Sequence, residues 1–239
     1  MADQAAAGRD PSVYLFGGST MTLDTNAIDV SDMFAVHQAL RDSLSAAPRL
    51  VAGIDADDES RSALVSSFYD NVIAFLHAHH EGEEALIFPL LRERCPGQLE
   101  MIDTVAAQHR DVDELVTKSV ELLEGWSAGD AAAKDGCAQS LGALGQRMRE
   151  HLDDEEQQLL PLCATNLTEQ EWGALPGHAL GSFTGDKVWL ILGLIREHMT
   201  DEHRAEMLAH MPPPAAEMWT TIGEKSYIEM MDEVGPLTP

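Results

Sequence analysis

The sequence is short of cysteine and shorter still of positive charge, and each shortage removes a class of explanation. Its 239 residues include three cysteines, Cys95, Cys137 and Cys163, widely spaced and without a CxxC pair. Neither a disulfide framework nor a thiolate zinc site is signalled, and a reducing cytosol is the expected compartment. Fifteen basic residues stand against forty-one acidic ones, a formal net charge of −26. Such a field repels phosphate backbones and anionic membrane surfaces, which excludes nucleic acid as a partner. No apolar run approaches the ~20 residues that cross a bilayer. Residues 1–20 lack both the basic and the apolar region of an export signal, so a soluble, unexported protein without a membrane role is expected.

What is present reads as helix. Between Ile28 and Ala164 apolar residues recur at three- and four-residue spacing, β-branched runs are few, and Pro or Gly stands mainly where segments should end. Four long amphipathic segments are predicted at about 27–47, 59–94, 98–125 and 131–164. Short polar or Gly/Pro links join them, which implies an all-α, antiparallel four-helix bundle over 27–166. Residues 1–26 read as a loose lead-in. Residues 167–239 read as a C-terminal helical extension that opens on a capping box at Thr168–Glu171.

An offset of 72 residues relates the two halves of the bundle. It carries His37 to His109, His79 to His151, Glu83 to Glu155 and Pro89 to Pro161, so HHEGEEALIFP (79–89) superposes without a gap on HLDDEEQQLLP (151–161). His77, His79 and His80 with Glu81, Glu83 and Glu84 offer three overlapping HxxxE readings, and only His79 with Glu83 survives the offset. At 100° per residue, Phe68, Val72, Phe75, Leu76, Leu86 and Leu90 fall around the direction of His79 and Glu83. Leu144, Met148, Leu159 and Leu162 flank His151 and Glu155 in the same way.

Histidines and glutamates on an apolar face cost several kcal/mol each unless they are paired or bind a metal. Residues four apart lie on one side of a helix, so each HxxxE turns an imidazole nitrogen and a carboxylate oxygen toward a shared centre. The single histidines of the first and third helices complete two equivalent half-sites. Four imidazoles and two carboxylates, with no thiolate, suit a pair of divalent iron or manganese ions better than closed tetrahedral zinc. A buried His/Glu network without metal is the competing reading.

Arg41, four after His37, and Asp113, four after His109, are expected on inward faces: Asp113 as a direct metal ligand or the acceptor of a ligand imidazole, Arg41 as the partner of a carboxylate or of a bound anionic oxygen species, or the two as a buried Arg–Asp pair without chemistry. His77, His80, His178, His198, His203 and His210 read as solvated or capping residues, and Cys137 as a small core residue. Of the acidic string 153–156 only Glu155 is expected inside.

At these residues the chain resembles the hemerythrin-like, HHE cation-binding family, with its pattern H…HxxxE…H…HxxxE, over roughly 28–164. The resemblance implies a four-helix bundle in which His37, His79, Glu83, His109, His151 and Glu155 ligate a non-haem di-iron centre with oxo or hydroxo and carboxylate bridges. Oxygen-carrying members have HxxxH in the third helix and HxxxxD in the fourth, whereas this chain has Asp at 113 and Glu155 after His151. Four histidines in place of five point away from simple reversible oxygen carriage.

Three functions follow as expectations. One is a cytosolic protein that binds or turns over O2, peroxide or nitric oxide, an oxidoreductase if it is an enzyme. Another is an oxygenase or oxidase of a small organic substrate, with Trp172, Phe183, Trp189, Trp219 and Tyr227 roofing a pocket or simply filling the core. The third is an iron or oxygen sensor or store, with 167–239 as a partner face or oligomer interface.

Overall fold

The computed structural model describes residues 13–16, 19–22, 27–55, 57–181, 183 and 187–238. It is an antiparallel bundle of four long helical segments with shorter helices packed on one side. The first is α1 (Asp32–Ala52) and the second begins with α2 (Glu59–Gly82), whose N-terminus is capped by Asp58 accepting from the Arg61 amide. The second continues through a wide π-helical turn, Glu83–Ile87, into α3 (Phe88–Arg94). The third is α4 (Leu99–Ser127). The fourth is α5 (Ala131–Asp154), a second π-turn at Glu155–Leu159, and α6 (Leu160–Asn166). Each segment packs against two others, in the ring α1–α2–α4–α5. Of the lead-in, β1 (Val13–Phe16) and β2 (Ser19–Thr22) form a short antiparallel pair with Val13 opposite Thr22. The rest of 1–26 lies outside the described residues.

The first helix ends at Ala52, not near residue 47 as the proline at 48 suggests. Pro48 lies within α1 and removes the amide that would bond the Leu44 carbonyl. That carbonyl faces Gly145 of α5, where an added Cβ would stand 3.1 Å from the Leu44 oxygen. The missing side chain lets α5 close over the irregular turn. The link between α4 and α5 turns at Gly129, whose φ of 91° lies in the left-handed region that favours glycine.

The two π-turns have one cause and one effect. Pro89 and Pro161 lack an amide donor and clash with the carbonyl four residues back, and the helix widens ahead of each. The amide of Phe88 then reaches back to the Glu83 carbonyl, and that of Leu160 to Glu155. One residue is thereby inserted into the helical period, which corrects the sequence-based core beyond it. Leu86, Leu90 and Leu162 are only partly buried, while Ile87, Leu91 and Cys163, each one position later, are fully inside.

The interior forms two apolar clusters. One holds Leu40, Leu44, Val72, Leu76, Val112, Met148 and Leu152, and the other Met33, Ile87, Phe88, Leu91, Ile102, Leu159 and Cys163. On every long segment the histidine lies between members of the two. Beyond Asn166 come α7 (Glu169–Trp172), α8 (Leu175–Gly181), α9 (Lys187–Glu197), α10 (Asp201–His210), α11 (Pro213–Met218), a π-turn at Trp219–Gly223 and α12 (Glu224–Val234). The capping box is formed: Thr168 accepts from the Glu171 amide, and Glu171 accepts from the Thr168 amide. Helix α9 packs on α1 and α2, and α12 on α9. Phe183, Trp189, Trp219 and Tyr227 are buried within the first apolar cluster and Trp172 within the second, so all five fill core. No helix among the described residues is long and apolar enough to cross a membrane.

Candidate metal centre

α1 contributes His37, α2 His79, α4 His109 and α5 His151, while the π-turns begin with Glu83 and Glu155. All six are buried. The structure brings them together at the bundle centre.

The carboxylates link the two halves of the site. Glu155 turns Oε1 to His151 Nε2 at 3.1 Å and His109 Nε2 at 3.8 Å, and Oε2 to His37 Nε2 at 3.5 Å and His79 Nε2 at 3.8 Å. Glu83 turns Oε1 to His79 Nε2 at 3.6 Å and Oε2 to His109 Nε2 at 3.5 Å. Each carboxylate thus offers one oxygen to each half. Donors that share an ion through ~2.1 Å bonds at right angles lie ~3 Å apart, so this spread suits common ions.

Nitrogens and oxygens so close would be expected to hydrogen bond, yet they do not. The Nε2 atoms of His37, His79, His80, His109 and His151, together with Glu83 Oε2 and both Glu155 oxygens, are buried without a hydrogen-bond partner. Even the 3.1 Å pair lacks the angles of a hydrogen bond. A buried polar atom left unsatisfied costs roughly 1–3 kcal/mol, and eight in one pocket fit a cation that takes their lone pairs.

The opposite edges of three rings are held. His37 Nδ1 donates to Glu156 at 2.9 Å, His109 Nδ1 to Glu84 at 3.0 Å, and His151 Nδ1 to the Gln108 amide oxygen at 2.9 Å. Carboxylate and amide oxygens only accept, so each Nδ1 carries the proton and each Nε2 lone pair points inward, as metal ligation requires. Gln108 is itself fixed by donating to Asp154 at 2.7 Å. Arg41 donates to Glu156 at 2.6 Å and to Asp153 at 2.7 Å, and therefore neutralises the carboxylate that orients His37.

Without metal the pocket holds protons. Burial works against charge on His109, but the nearby carboxylates of Glu155 and Glu83 outweigh it, and the imidazole is pushed up to about 10. His79 also moves up, against its burial, because of Glu83 and Glu155. Burial opposes ionisation of Glu155, yet the surrounding imidazoles hold it well below the usual carboxylate range. Glu156 is lowered by His37 and Arg41 against its own burial. His80 is driven well below its ordinary value by burial and by neighbouring imidazoles, and stays neutral.

Several expectations are corrected here. His80 is neither solvated nor a cap. It is 5% exposed, its ring lies 3.8 Å from His109 in a parallel stack, and it meets His151 edge-on at 5.1 Å. Asp113 is exposed: His109 already lies toward one edge of the buried stripe of α4, and four residues further on the helix turns about 40° outward. No Arg41–Asp113 pair forms, since Arg41 engages Glu156 and Asp153. Of the string 153–156 only Glu155 is buried, as expected, while half-buried Glu156 and Asp154 support the rings of His37 and, through Gln108, His151. Glu84, Glu156 and Gln108 were missed, although the 72-residue offset relates Glu84 to Glu156 and was the available signal. His77 stays at the surface, pairing with Glu81 at 3.3 Å, and His178 and His210 are exposed. His198 and His203 are half-buried beside Asp42 and Asp29. Cys137 is a fully buried core thiol.

A four-helix bundle with buried imidazoles and carboxylates facing one another across its middle defines a cation-binding helical protein. The hemerythrin HHE cation-binding domain matches residues 29–163, more than half of the chain, and the chain belongs to that family. No curated protein and no solved structure gives a significant match. The matched span contains all six residues, and both groupings that bring four of them within 4.8 Å include Glu83 and Glu155.

Proposed function

We propose that the pocket holds two iron ions bridged by Glu83 and Glu155, with manganese as the alternative of like preference, and that the protein turns over dioxygen, peroxide or nitric oxide in a reducing cytosol. The observation that carries this reading is the set of eight buried, unpartnered nitrogen and oxygen atoms directed at one another. Two carboxylates that each face both halves support two ions over one. Nitrogen and oxygen donors without thiolate favour iron or manganese. Three buried free thiols accord with a reducing compartment.

Held by His37, His79, Glu83, His109, His151 and Glu155, a ferrous pair would supply two electrons, one per ion, for reduction of a small oxidant. The chain's own residues do the rest. Glu156, Glu84 and Gln108 fix the ring orientations, and the apolar clusters on either side exclude water. Two carboxylates inside and two at the rim supply negative charge that stabilises the ferric state, which favours consumption of an oxidant over its reversible carriage.

The size of the ligand follows from the enclosure. The side chains of the six residues are almost wholly buried. A surface cavity of about 300 Å³ is lined by Gly97, Met101, Val105, Asp154 and neighbours, and one of about 560 Å³ by Asp42, His198, Asp232 and the C-terminal segment. Neither is lined by the six residues or by the five extension aromatics, and the burial of the six side chains favours a ligand of two or three atoms over an organic substrate.

Metal analysis of protein produced without added iron tests the proposal, followed by exposure of the reduced protein to air while its optical spectrum is recorded. Two irons per chain and fast, irreversible oxidation are expected. One ion per chain, or none, overturns the dinuclear reading, and a reversible oxygenated band overturns turnover in favour of carriage.

A further inference from the structure

We infer that the cavity between the bundle and the C-terminal segment binds an aliphatic polyamine, a chain of ammonium groups spaced by methylenes, through Asp42, Glu197 and Asp232. None of the six residues of the metal centre lines it, and the inference stands apart from the dinuclear reading.

Three helices and the tail of the chain build this cavity of about 560 Å³. Asp42 comes from α1, Glu197 from the last position of α9, and Met231 and Asp232 from α12. Gly235, with a φ of 93°, turns the chain after α12 so that residues 236–238 close the remaining side. That wall is held in place, because Arg49 donates to the Pro236 carbonyl and Arg61 to that of Val234. Both arginines are thereby committed to backbone. Among the described residues no Lys or Arg side chain pairs with the carboxylates of Asp42, Glu197 or Asp232; His198 alone approaches, 3.6 Å from Asp42.

The spacing of the acids selects the cation. Among the described residues every grouping of three or more donors within 4.8 Å lies at the bundle centre, and none includes Asp42, Glu197, His198 or Asp232. A single inorganic ion needs such convergence, whereas charges set apart along a flexible chain do not. Met231 and Leu237 offer hydrocarbon to the methylenes between those charges. The net charge of −26 draws a polycation toward the surface, and these groups decide where it settles.

A buried hydroxyl points to the same ligand. Tyr227 is 7% exposed, and its hydroxyl is buried with no hydrogen-bond partner. Its ring lies against Gly193, where an added Cβ would stand 2.2 Å away, and Glu197 follows one turn later on the same face of α9. Burial raises the phenol and the Glu197 carboxylate raises it further, so the two groups are neighbours, yet no hydrogen bond joins them. An ammonium held by Glu197 would give the hydroxyl oxygen the donor it lacks.

The test is isothermal titration of the full chain, as purified, with the trication spermidine at about 0.15 M salt, where diffuse attraction is screened. One spermidine per chain is expected. Butylamine, with one charge in place of three, should bind at least ~10-fold more weakly, and magnesium should not compete. Asp42→Asn and Asp232→Asn should each weaken spermidine about 5-fold, the loss of one half-exposed ion pair. Tyr227→Phe, which keeps the ring over Gly193 and removes only the hydroxyl, should weaken it about 3-fold. Glu121→Gln, at an exposed acid of α4, should change nothing. Both aspartates lie outside the core, so their variants decide the matter if Tyr227→Phe folds poorly. Several spermidines per chain with no response to Asp42→Asn or Asp232→Asn would mean a diffuse ion atmosphere and overturn the inference, as would equal binding of magnesium or butylamine.

Discussion

At the level of single side chains, the pocket exchanges protons for metal, and both the ligand set and its pH dependence follow. Glu83 and His151 present unpartnered atoms to the centre, whereas His77 is exposed beside Glu81. Glu83→Ala and His151→Ala are therefore expected to lose iron and His77→Ala to retain it, read by metal analysis after desalting; full loading of Glu83→Ala would place the carboxylate outside the site. In metal-free protein His109 sits at about 10, above its unfolded value near 6.5. Its contribution to metal-free stability is thus complete below about 6.5 and is lost as the pH climbs through about 10. Ligation requires the neutral ring, so metal uptake has the opposite dependence and strengthens over that same range. Adding manganese(II) to metal-free protein at pH 8 in weak buffer should release at least about one proton per chain, followed with an indicator dye; uptake without acidification would show that the imidazole is already neutral. The six donors were legible in the sequence because the repeat selected them. The burial of His80 was not, because its counterpart at 152 is apolar. Glu84 and Glu156 were not, because a strict helical period assigns them to solvent.

That period fails at the scale of the element, where two prolines impose π-turns directly after the ligand-bearing helices. The wide turn brings consecutive residues closer to one face, so Glu83 enters the pocket while Glu84 reaches the far edge of His109, and Glu155 and Glu156 repeat the arrangement with His37. Helix number, order and the histidine-bearing faces were readable from periodicity, but the one-residue shift beyond each π-turn was not, since nothing in apolar spacing reports a change in backbone hydrogen bonding. The same limit applies to Pro48, which reads as a helix end but is absorbed because Gly145 lies across from the freed carbonyl. Gly145→Ala gains about 1 kcal/mol of helix propensity but drives a methyl against fixed backbone, and a net loss of roughly 1–2 kcal/mol is expected. Gly177→Ala in α8, where an added Cβ has nothing within 4 Å, should gain ~0.5 kcal/mol. Chemical denaturation of the pair measures both, and an equal response would remove the role given to close approach of α1 and α5.

Over the whole molecule, the bundle and its extension share one interior. Leu190, Ile191 and Leu194 of α9 are buried in the same cluster as Leu44 and Val72, Arg61 donates to the Val234 carbonyl, and Arg49 to that of Pro236. The extension aromatics were expected either to roof a pocket or to fill core, and they fill core; which of the two is invisible to spacing because it depends on which face of the bundle the later helices cover. The excess of acid, so pronounced in the sequence, lies mostly toward solvent, and among the described residues only Glu83 and Glu155 are buried, facing the histidines at the centre.

The 72-residue correspondence reaches further than the choice of ligands. Because His37, His79 and Glu83 on one hairpin mirror His109, His151 and Glu155 on the other, a polypeptide consisting of the first hairpin alone, associating with itself about a twofold axis, would carry every bridging and terminal group that the covalently joined form provides.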